Sequence, residues 1–289
     1  MQKRTHVDLS IIILSYNTAS LLKGCLASVF SFQTPHDTWE IIVVDNASTD
    51  GSADMVKNEF PSVRVIRNKQ NIGFSAGNNV GIRKASGDYV LLLNSDTEVG
   101  PGTMQAMLLF MQSRPDAGAA TCRLGLPDGS LDPACHRGFP TPWAALTYFF
   151  GLEKMFPRVP LFAQYHQWYK DLSTVHEIDS PSGAFFILPR LVIDQIGLLD
   201  EHFFMYGEDL DWAYRIKQAG WKIFYNPIVS ALHRKKQSGR AHADPAMRKK
   251  TEGYFYDTMR LFYQKHYARR YNWLATQAIV LGIKIRSLV

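Results

Sequence analysis

Polar side chains stand directly after three apolar, β-branched runs in the first hundred residues. The runs cover residues 9–14, 39–44 and 89–93, and the polar residues that follow them are Ser15, Asn17, Asp45, Asn94, Ser95 and Asp96. In an open parallel sheet, ligands bind beyond the carboxyl ends of the strands. One aspartate after a strand is as often the cap of the next helix, but three polar strand ends on one rim favour a shared ligand site.

Asp96 and Glu98 are two carboxylates two residues apart. They alternate with Ser95 and Thr97, so both carboxylates can face one way. Carboxylate oxygens are hard donors that suit a divalent cation shared with the phosphates of a substrate. A solvated acidic turn is the alternative, and the position of the pair directly after a strand favours the cation.

Three acids open a predicted helix at Glu208, Asp209 and Asp211. The helix dipole stabilises an ionised acid at this end by roughly 0.3–1 kcal/mol, so helix capping explains one of the three. Like charges this close raise the pKa of one carboxyl group. A carboxylate that titrates nearer neutrality suits a general base, so the group is a candidate for proton transfer.

His233 ends a later predicted strand and is a further candidate site residue. A lone histidine is more often structural than a ligand, but basic residues suited to a pyrophosphate lie just beyond this one. The basic and polar residues that follow it are Arg234, Lys235, Lys236, Ser238 and Arg240.

Glycines recur at a spacing of four, at Gly73, Gly77 and Gly81, and would lie on one face of a helix. They permit close approach of the helix backbone to the sheet or to a ligand. Tight helix packing alone explains Gly77 and Gly81 equally well. The chain has neither the dinucleotide fingerprint nor the P-loop pattern, and Ser15 and Asn17 stand where the fingerprint of a nicotinamide-dependent oxidoreductase would begin.

These residues need a parallel sheet that is covered by helices, and the alternation of apolar runs with helical patterns predicts one. Predicted strands cover 9–14, 39–44, 63–66, 89–93, 118–122, 184–188, 222–225 and 229–233, the last two broken by Pro227. Predicted helices cover 20–32, 52–59, 74–85, 101–113, 189–197, 207–220, 245–268 and 273–288. Residues 123–180 are rich in proline, glycine and aromatic residues, and we expect loops and short helices that close over a site.

Composition excludes several classes of protein. The 289 residues are 46% hydrophobic and 20% charged, which is typical of a globular chain and not of a collagenous or disordered one. Three scattered cysteines without a C-x-x-C pair favour the cytoplasm over a disulfide scaffold or a zinc cluster. The first apolar run is too short for a signal peptide. No run reaches the ~18 residues of a membrane span.

The net charge of +6 is unevenly distributed. Residues 234–289 hold 13 Lys and Arg against Asp244, Glu252 and Asp257, so this tail carries +10 and the rest of the chain carries −4. An acidic body with acidic strand ends would repel a phosphate backbone, so nucleic acid is not an expected partner. The tail instead predicts an interfacial helix on an anionic cytoplasmic membrane surface. Packing on the catalytic domain or on a second subunit, as in a homodimer, explains its pattern equally well.

The motifs together resemble the family 2 inverting glycosyltransferases of the GT-A fold, most closely the bacterial rhamnosyltransferase-like enzymes of surface polysaccharide assembly. The matching segments lie at 11–17, 43–52, 71–79, 93–96, 182–184, 197–204 and 207–211. They follow the order of the family across residues 8–240. The resemblance implies an α/β fold, with a Rossmann-like, mostly parallel central sheet, helices on both faces and a C-terminal helical extension.

The resemblance also implies domain limits. Residues 1–240 would form the glycosyltransferase domain, in which 8–122 is the nucleotide-sugar-binding half and 123–240 the acceptor and catalytic half. Residues 241–289 would form the basic amphipathic helical tail.

Roles of individual residues follow from the same resemblance. Asp45 would bind the nucleotide base, and the other donor-binding residues would be Ser15, Asn17, Gly73, Asn78, Asn94 and Ser95. Asp96 would be the metal-binding end of the D-x-D motif, whose first carboxylate is replaced here by Asn94. His233 would be a further ligand of Mg²⁺ or Mn²⁺.

Catalysis would fall to the acidic pair at the start of the predicted helix. Asp209 would be the catalytic base, with Glu208 as the alternative. The aromatic stretch 143–168 would form part of the acceptor pocket, since sugar faces stack on aromatic rings, and Trp143 and Trp212 would contact the acceptor. Core packing is the alternative, and it is the preferred one for any single ring.

The implied reaction moves a sugar, with L-rhamnose as the expected one, from a nucleotide-diphosphate donor to a saccharide or polyprenyl-linked acceptor. A donor such as a UDP-hexose is the alternative, and a nucleotide-binding module without catalysis is a further one. The enzyme would work in the cytoplasm, at the inner face of the membrane.

Overall fold

Apolar strands form the centre of the molecule, and helices cover both faces of the sheet that they build. The computed structural model describes residues 6–235 and 245–287. The strands are β1 Leu9–Ser15, β2 Trp39–Asp45, β3 Arg64–Arg67, β4 Tyr89–Asn94, β5 Thr97–Val99, β6 Ala117–Gly125, β7 His176–Ile178, β8 Phe185–Pro189 and β9 Lys222–His233.

Ten α-helices lie in the same described ranges. They are α1 Ala19–Ser31, α2 Ser52–Glu59, α3 Phe74–Ile82, α4 Thr103–Gln112, α5 Pro142–Phe149, α6 Leu152–Met155, α7 Arg190–Ile196, α8 Glu208–Gln218, α9 Pro245–His266 and α10 Trp273–Arg286. The predicted helices 20–32, 52–59 and 101–113 are thus confirmed to within two residues at each end. Short helices in the predicted loop region 123–180 are confirmed as well.

The strands form one sheet in the order β3-β2-β1-β4-β8-β6-β9-β5. β7 pairs with the first part of β9, on the same edge of β9 as β5. β3, β2, β1 and β4 are parallel to one another, and β6 and β9 run in the same direction. β8 is antiparallel to both β4 and β6, while β5 and β7 are antiparallel to β9. Six of the nine strands in the described ranges share one direction, which confirms the mostly parallel sheet.

The centre of the sheet is buried on both faces. Ile11, Ile12 and Ile13 of β1 are all fully buried, so successive side chains of one strand meet helices on opposite sides. The continuous apolar run in the sequence reflects this burial. β5 and β7 were not predicted, because three residues are too few to show an alternating pattern.

The predicted break between strands at 222–225 and 229–233 is wrong, because β9 is continuous. Pro227 lies within it and cannot donate a backbone hydrogen bond. The pairing of β9 with β6 shifts its register at this residue. Asn226 pairs with Cys122, and the next pair is Ser230 with Arg123. The proline therefore produces an irregularity in one strand and does not end it.

The helix α9 packs on α8 and is part of the folded body. Their shared apolar cluster contains Phe203, Leu210, Tyr214, Phe262, Tyr263 and Tyr267. A fully buried carboxylate of α8, Asp211, accepts hydrogen bonds from His266 and Lys265 of α9 at 2.7 Å each. The expected limit between residues 240 and 241 lies outside the described residues.

The last helix, α10, is more exposed than α9. Trp273 and Leu274 at its start are 70% and 71% exposed. Within the described ranges, no helix is both long enough and apolar enough to cross a membrane.

Gly81 lets α3 lie directly on the sheet. A Cβ atom at this position would stand 2.5 Å from Ile12 Cγ2 and 3.2 Å from Val44 Cγ2, and Gly77 makes a similar approach to Leu14. Both glycines therefore serve helix packing, which was one of the two interpretations of their spacing.

We predict that Gly81→Ala lowers the free energy of unfolding by about 1–3 kcal/mol, because the added methyl group overpacks this contact. Gly282→Ala is the matched control, since a Cβ at this helical position meets no atom within 4 Å. It should leave stability unchanged or raise it by up to about 1 kcal/mol. Urea denaturation of both variants measures the difference, and equal stabilities would contradict the packing role.

Candidate active site

The ends of β1, β2 and β4 bring the predicted donor-binding residues to one rim. Ser15 pairs with Asp45 across β1 and β2, and Leu14 pairs with Asn94 across β1 and β4. Asp45 and Asn94 thus lie two strands apart, about 10 Å. A hydrogen-bond chain crosses the rim through Thr18, which is 2.9 Å from Ser15 Oγ and 3.0 Å from Ser95 Oγ.

Asp45 lies in a cavity of about 320 Å³ at this rim. Its neighbours there are Ala47, Ser48, Thr49, Gly51, Ala53, Asp54, Arg67 and Asn68. The side chain is nearly buried, and Asp45 Oδ2 accepts a hydrogen bond from the Ser48 amide at 3.2 Å. Asp45 Oδ1 has no hydrogen-bond partner among the described residues. A buried acceptor of this kind can take an N–H or O–H from a ligand.

The loops around this cavity are tied together by other predicted donor-binding residues. Asn17 has a left-handed backbone (φ +54°), and its Oδ1 accepts the Thr49 amide at 2.8 Å. Gly73 also has a positive φ, and a Cβ there would clash with Phe204. Asn78 is buried in α3, where its amide donates to the Phe74 carbonyl. These contacts shape the loops, and direct donor contacts of the three residues stay a prediction.

Asp96, just after β4, and His233, the last residue of β9, are in contact. Asp96 Oδ1 lies 3.2 Å from His233 Nε2, and His233 Nδ1 lies 2.7 Å from Asp132 Oδ2. Lys235 Nζ contacts the other Asp132 oxygen at 2.8 Å. All of these side chains except Lys235 are buried. The structure therefore brings two predicted metal ligands into contact and adds Asp132 behind the histidine.

The charges of this cluster shift the pKa values of its members. Burial alone would lower the pKa of His233, but hydrogen bonds to Asp132 and Asp96 outweigh it and raise the pKa to about 9. Burial likewise opposes ionisation of Asp132, yet the hydrogen bond from His233 and the charge of Lys235 hold its pKa well below the ordinary value. Without an ion, the histidine is thus a cation between two carboxylates.

Glu98 does not join this cluster, so the expectation that it shares a cation with Asp96 is wrong. Instead, Arg234 donates hydrogen bonds from Nε and Nη2 to the two carboxylate oxygens of Glu98, at 2.6 and 3.1 Å. Arg234 and Lys235, which were expected to meet a pyrophosphate, both contact carboxylates in the structure. Lys236, Ser238 and Arg240, which were assigned to the same task, lie outside the described residues.

Asp209 is held in a buried ion pair that the sequence did not reveal. Asp209 Oδ2 lies 2.7 Å from an Arg137 guanidinium nitrogen, and their side chains are 13% and 10% exposed. The Gly183 amide approaches the same oxygen at 3.4 Å. The next residue, Ala184, accepts a hydrogen bond from the Asn94 amide. Asp209 is thereby connected to the rim formed by β4.

Glu208 has a different environment from its neighbour. It is buried, and Glu208 Oε2 has no hydrogen-bond partner among the described residues. Burial, and then the negative charge of Asp209, raise the pKa of Glu208 to about 8. Glu208 is therefore mostly protonated at neutral pH, while Asp209 has the cation beside it.

The two tryptophans assigned to the acceptor differ sharply. Trp212 is fully buried, packs against Phe186 and donates to the Gly197 carbonyl. The prediction that it contacts an acceptor is wrong, because the protein core surrounds its ring. Trp143 is exposed on α5, and its contact with an acceptor stays a prediction.

Asp132 and Arg137 are the site residues that sequence reasoning missed. They lie in the irregular region after β6, where no periodic pattern marks them. Their partners are 101 and 72 residues away along the chain. The one local signal was Asp132 before Pro133, where it caps a single turn of 3₁₀ helix.

We predict that Arg137→Met destabilises the protein by about 3–5 kcal/mol, because it leaves the Asp209 carboxylate buried without its cation. The double variant Arg137→Met with Asp209→Asn should recover part of the loss, since the uncompensated charge is gone. Urea denaturation of both single variants and of the double variant measures this coupling. Strictly additive effects would show that the two side chains do not depend on each other.

The pKa of Glu208 predicts a pH dependence of stability. Between pH 4.5 and about 8 the folded state keeps a proton that the unfolded state releases, so the free energy of unfolding falls as pH rises. Glu208→Gln should remove this decrease and gain stability relative to the native chain over that range. Denaturation at a series of pH values tests this prediction. Glu59 is exposed, so the control variant Glu59→Gln should show the same dependence of stability on pH as the native chain.

The chain matches the family model for glycosyl transferase family 2 over residues 10–172. It is 30% identical over 250 residues to the N-acetylglucosaminyl-diphospho-decaprenol L-rhamnosyltransferase of Mycobacterium tuberculosis. That alignment covers 82% of this chain and 79% of the relative.

Solved structures show the fold. The mannosyltransferase PcManGT of Pyrobaculum calidifontis, in complex with GDP-Man and Mn²⁺, has a TM-score of 0.59 and 16% identity over 99% of this chain and 88% of its own. S. aureus TarS 1–349 in complex with UDP-GlcNAc has a TM-score of 0.59 and 18% identity over 96% of this chain and 71% of its own. Both the expected fold and the expected family are confirmed: the chain belongs to glycosyltransferase family 2 and is a glycosyltransferase of the GT-A fold.

Proposed function

We propose that the enzyme transfers its sugar by a single displacement with inversion at the anomeric carbon. Asp209 takes the proton of an acceptor hydroxyl as that oxygen attacks the sugar. The C–O bond to the nucleotide diphosphate breaks in the same step, and the diphosphate leaves with its electron pair. The Arg137 contact fixes the Asp209 carboxylate, and protonated Glu208 places no second negative charge beside it.

Asp96 and His233 are the side chains that would hold a divalent cation. Their 3.2 Å separation suits two ligands of one ion, and Asp132 behind His233 is the partner that orients metal-binding histidines. No group of three or more His, Cys, Asp or Glu residues within the described ranges could hold an ion. Further oxygen ligands would have to come from the donor's diphosphate. When bound, Mg²⁺ or Mn²⁺ would neutralise the charge of the departing diphosphate.

The donor is proposed to be a nucleotide-activated L-rhamnose. The unpaired Asp45 Oδ1 in the cavity at the rim suits an N–H of the nucleotide base. The sugar is proposed from the relative, which is a rhamnosyltransferase and aligns over most of both chains. A UDP-hexose is the second candidate, because a protein of the same fold was solved with UDP-GlcNAc.

The acceptor is proposed to be a lipid-linked saccharide of surface polysaccharide synthesis. The name of the mycobacterial relative specifies a sugar on a diphospholipid. Exposed apolar residues of α10 alternate with Lys284 and Arg286, which suits an anionic membrane surface where such a lipid is found. The enzyme would then work at the inner face of the cytoplasmic membrane.

The observation that carries the proposal is the arrangement along one rim. The pairing of β2, β1 and β4 brings Asp45 and the Asp96–His233 pair to this rim. The hydrogen bonds of Gly183 and Ala184 connect Asp209 to the same rim. A donor site and a base that act on one sugar have to lie near each other in this way. A nucleotide-binding module without catalysis would not need a buried carboxylate held beside that rim.

We predict that Asp209→Asn still binds the donor but loses at least ~100-fold in transfer, because it cannot accept the hydroxyl proton. Thermal stabilisation by dTDP-rhamnose and by UDP-hexoses, with and without Mg²⁺ or Mn²⁺, identifies the donor and reports its binding. Transfer is then measured with that donor, and NMR of the product reports the anomeric configuration. Near-normal turnover of Asp209→Asn, together with loss of turnover in Glu208→Gln, would assign the base to Glu208.

A further inference from the structure

Two histidines meet end to end beside the arginine that holds the proposed base. His136 Nε2 lies 2.6 Å from His176 Nε2, and the two ring planes are inclined at 76°. His136 directly precedes Arg137 in the chain, and His176 is the first residue of β7. The proposed mechanism assigns no task to either histidine, so this pair lies outside the site described above.

Hydrogen bonds determine which nitrogen of each ring carries the proton. His136 Nδ1 lies 2.8 Å from the carbonyl oxygen of His166, and His176 Nδ1 lies 2.9 Å from that of Thr174. A carbonyl oxygen can only accept, so both Nδ1 atoms must donate. A neutral imidazole has one N–H, and each Nε2 atom is therefore left with a lone pair. Two lone pairs that face each other at this distance repel, unless a cation lies between them.

A proton is a poor candidate for that cation at neutral pH. His136 is fully buried, and burial lowers its pKa to about 4. Burial also lowers the pKa of His176, and the positive charge of Lys170 acts in the same direction on both rings. The negative charge of Asp171 opposes this at His176 without outweighing it. Both rings are thus neutral near pH 7, and neutral imidazole is the form that binds metal ions.

The two rings have the hydrogen bonds that are typical of metal-binding histidines. In such histidines the second ring nitrogen usually donates to a backbone carbonyl or a carboxylate, which fixes the tautomer and the orientation of the ring. His136 and His176 both have a carbonyl in this position. Imidazole nitrogen favours transition-metal ions such as Zn²⁺, whereas Mg²⁺ prefers oxygen ligands. The pair therefore suits a different class of ion from the Asp96–His233 site, where a carboxylate is one of the two ligands.

A small movement of His176 would make room for such an ion. Zinc binds imidazole nitrogen at about 2.0–2.1 Å, so two nitrogens of a tetrahedral site lie about 3.3 Å apart. His136 is fixed in the core, where its ring packs edge to face against the buried Tyr225. His176 is half-buried on a strand of three residues at the edge of the sheet, and it can move outward. The same exposure admits water, which would complete the coordination of an ion with two protein ligands.

We propose that His136 and His176 bind one transition-metal ion of the Zn²⁺ class through their Nε2 atoms. The ion joins β7 to residues 132–137, the segment that contacts His233 and Asp209. It stabilises the framework of the active site and does not contact the substrate. The proposal depends neither on the identity of the sugar nor on the assignment of the base.

The test is a titration of the metal-free full chain with Zn²⁺ near neutral pH, in competition with a chromophoric chelator. His176→Gln should weaken zinc binding at least about tenfold, because glutamine lacks the imidazole nitrogen. This variant should fold, since the side chain is half-buried at the sheet edge. His202→Gln is the matched control, because it removes a histidine that is 84% exposed beside Asp200. It should leave the affinity unchanged.

Nitrogen NMR of the histidine rings identifies the ligand atoms. One equivalent of Zn²⁺ should shift the Nε2 signals of His136 and His176 in the native chain. Asp96→Asn, which removes a carboxylate from the other candidate ion site, should show the same shifts and the same affinity.

Selective loss of zinc binding in His176→Gln, together with these shifts, supports the proposal even where no donor gives transfer. Failure of the proposed function is therefore distinguishable from failure of this inference. Equal zinc affinity of His176→Gln and the native chain overturns the proposal, as does the absence of saturable binding. Loss of binding in Asp96→Asn would place the ion at the other site and also overturns it. A proton found on an Nε2 atom of the native pair at neutral pH would do the same, because a shared proton would then explain the contact.

Discussion

The buried ion pair between Arg137 and Asp209 is the interaction on which the arrangement of the site depends. Removing both charges from water is unfavourable, and removing only one of them would be more so, because the other would stay buried alone. The pair therefore ties the start of α8 to the irregular region after β6. Asp209 keeps further lone pairs for the acceptor hydroxyl of the proposed reaction, since each carboxylate oxygen can accept two hydrogen bonds. Glu208, buried next to it, carries the proton instead, so the two adjacent acids do not repel each other as two anions.

One short segment, residues 132–137, reaches both halves of the proposed chemistry. Asp132 contacts His233, and Arg137 contacts Asp209. Backbone hydrogen bonds fix the segment at each end, from the Asp132 amide to the Leu124 carbonyl and from the Arg137 amide to the Ser180 carbonyl. The sheet alone places Asp45 and Asp96 on one rim, at the ends of β2 and β4 on either side of β1. The irregular region adds Asp132 and Arg137, which contact His233 and the proposed base Asp209, so it belongs to the candidate site as fully as the strands do.

Sequence reasoning succeeded where a residue follows a strongly patterned element. Asp45 and Asp96 come directly after buried strands, and the parallel order of those strands brings them to one rim, which follows from periodicity and the geometry of sheets. Asp132 and Arg137 have no such signal, because their partners are distant in sequence and their own segment is irregular. Trp212 shows the opposite error, because a core residue was assigned to the site. It lies four residues after Glu208 and four before Ile216, on the buried face of α8. This helical spacing is typical of a core residue.

The C-terminal basic tail left membrane contact and protein packing as equal alternatives. The structure shows protein packing for α9, while membrane contact of α10 stays a prediction. α9 buries its aromatic side chains against α8, and its last turn uses Lys265 and His266 to compensate the buried carboxylate of Asp211. Part of the tail's positive charge is thus paired with a carboxylate inside the protein and is not available to a partner. α10 has no fully buried residue in its described range, and its basic side chains Lys284 and Arg286 lie among exposed apolar ones. Charge counted from sequence therefore overstates the attraction of the tail to an anionic surface.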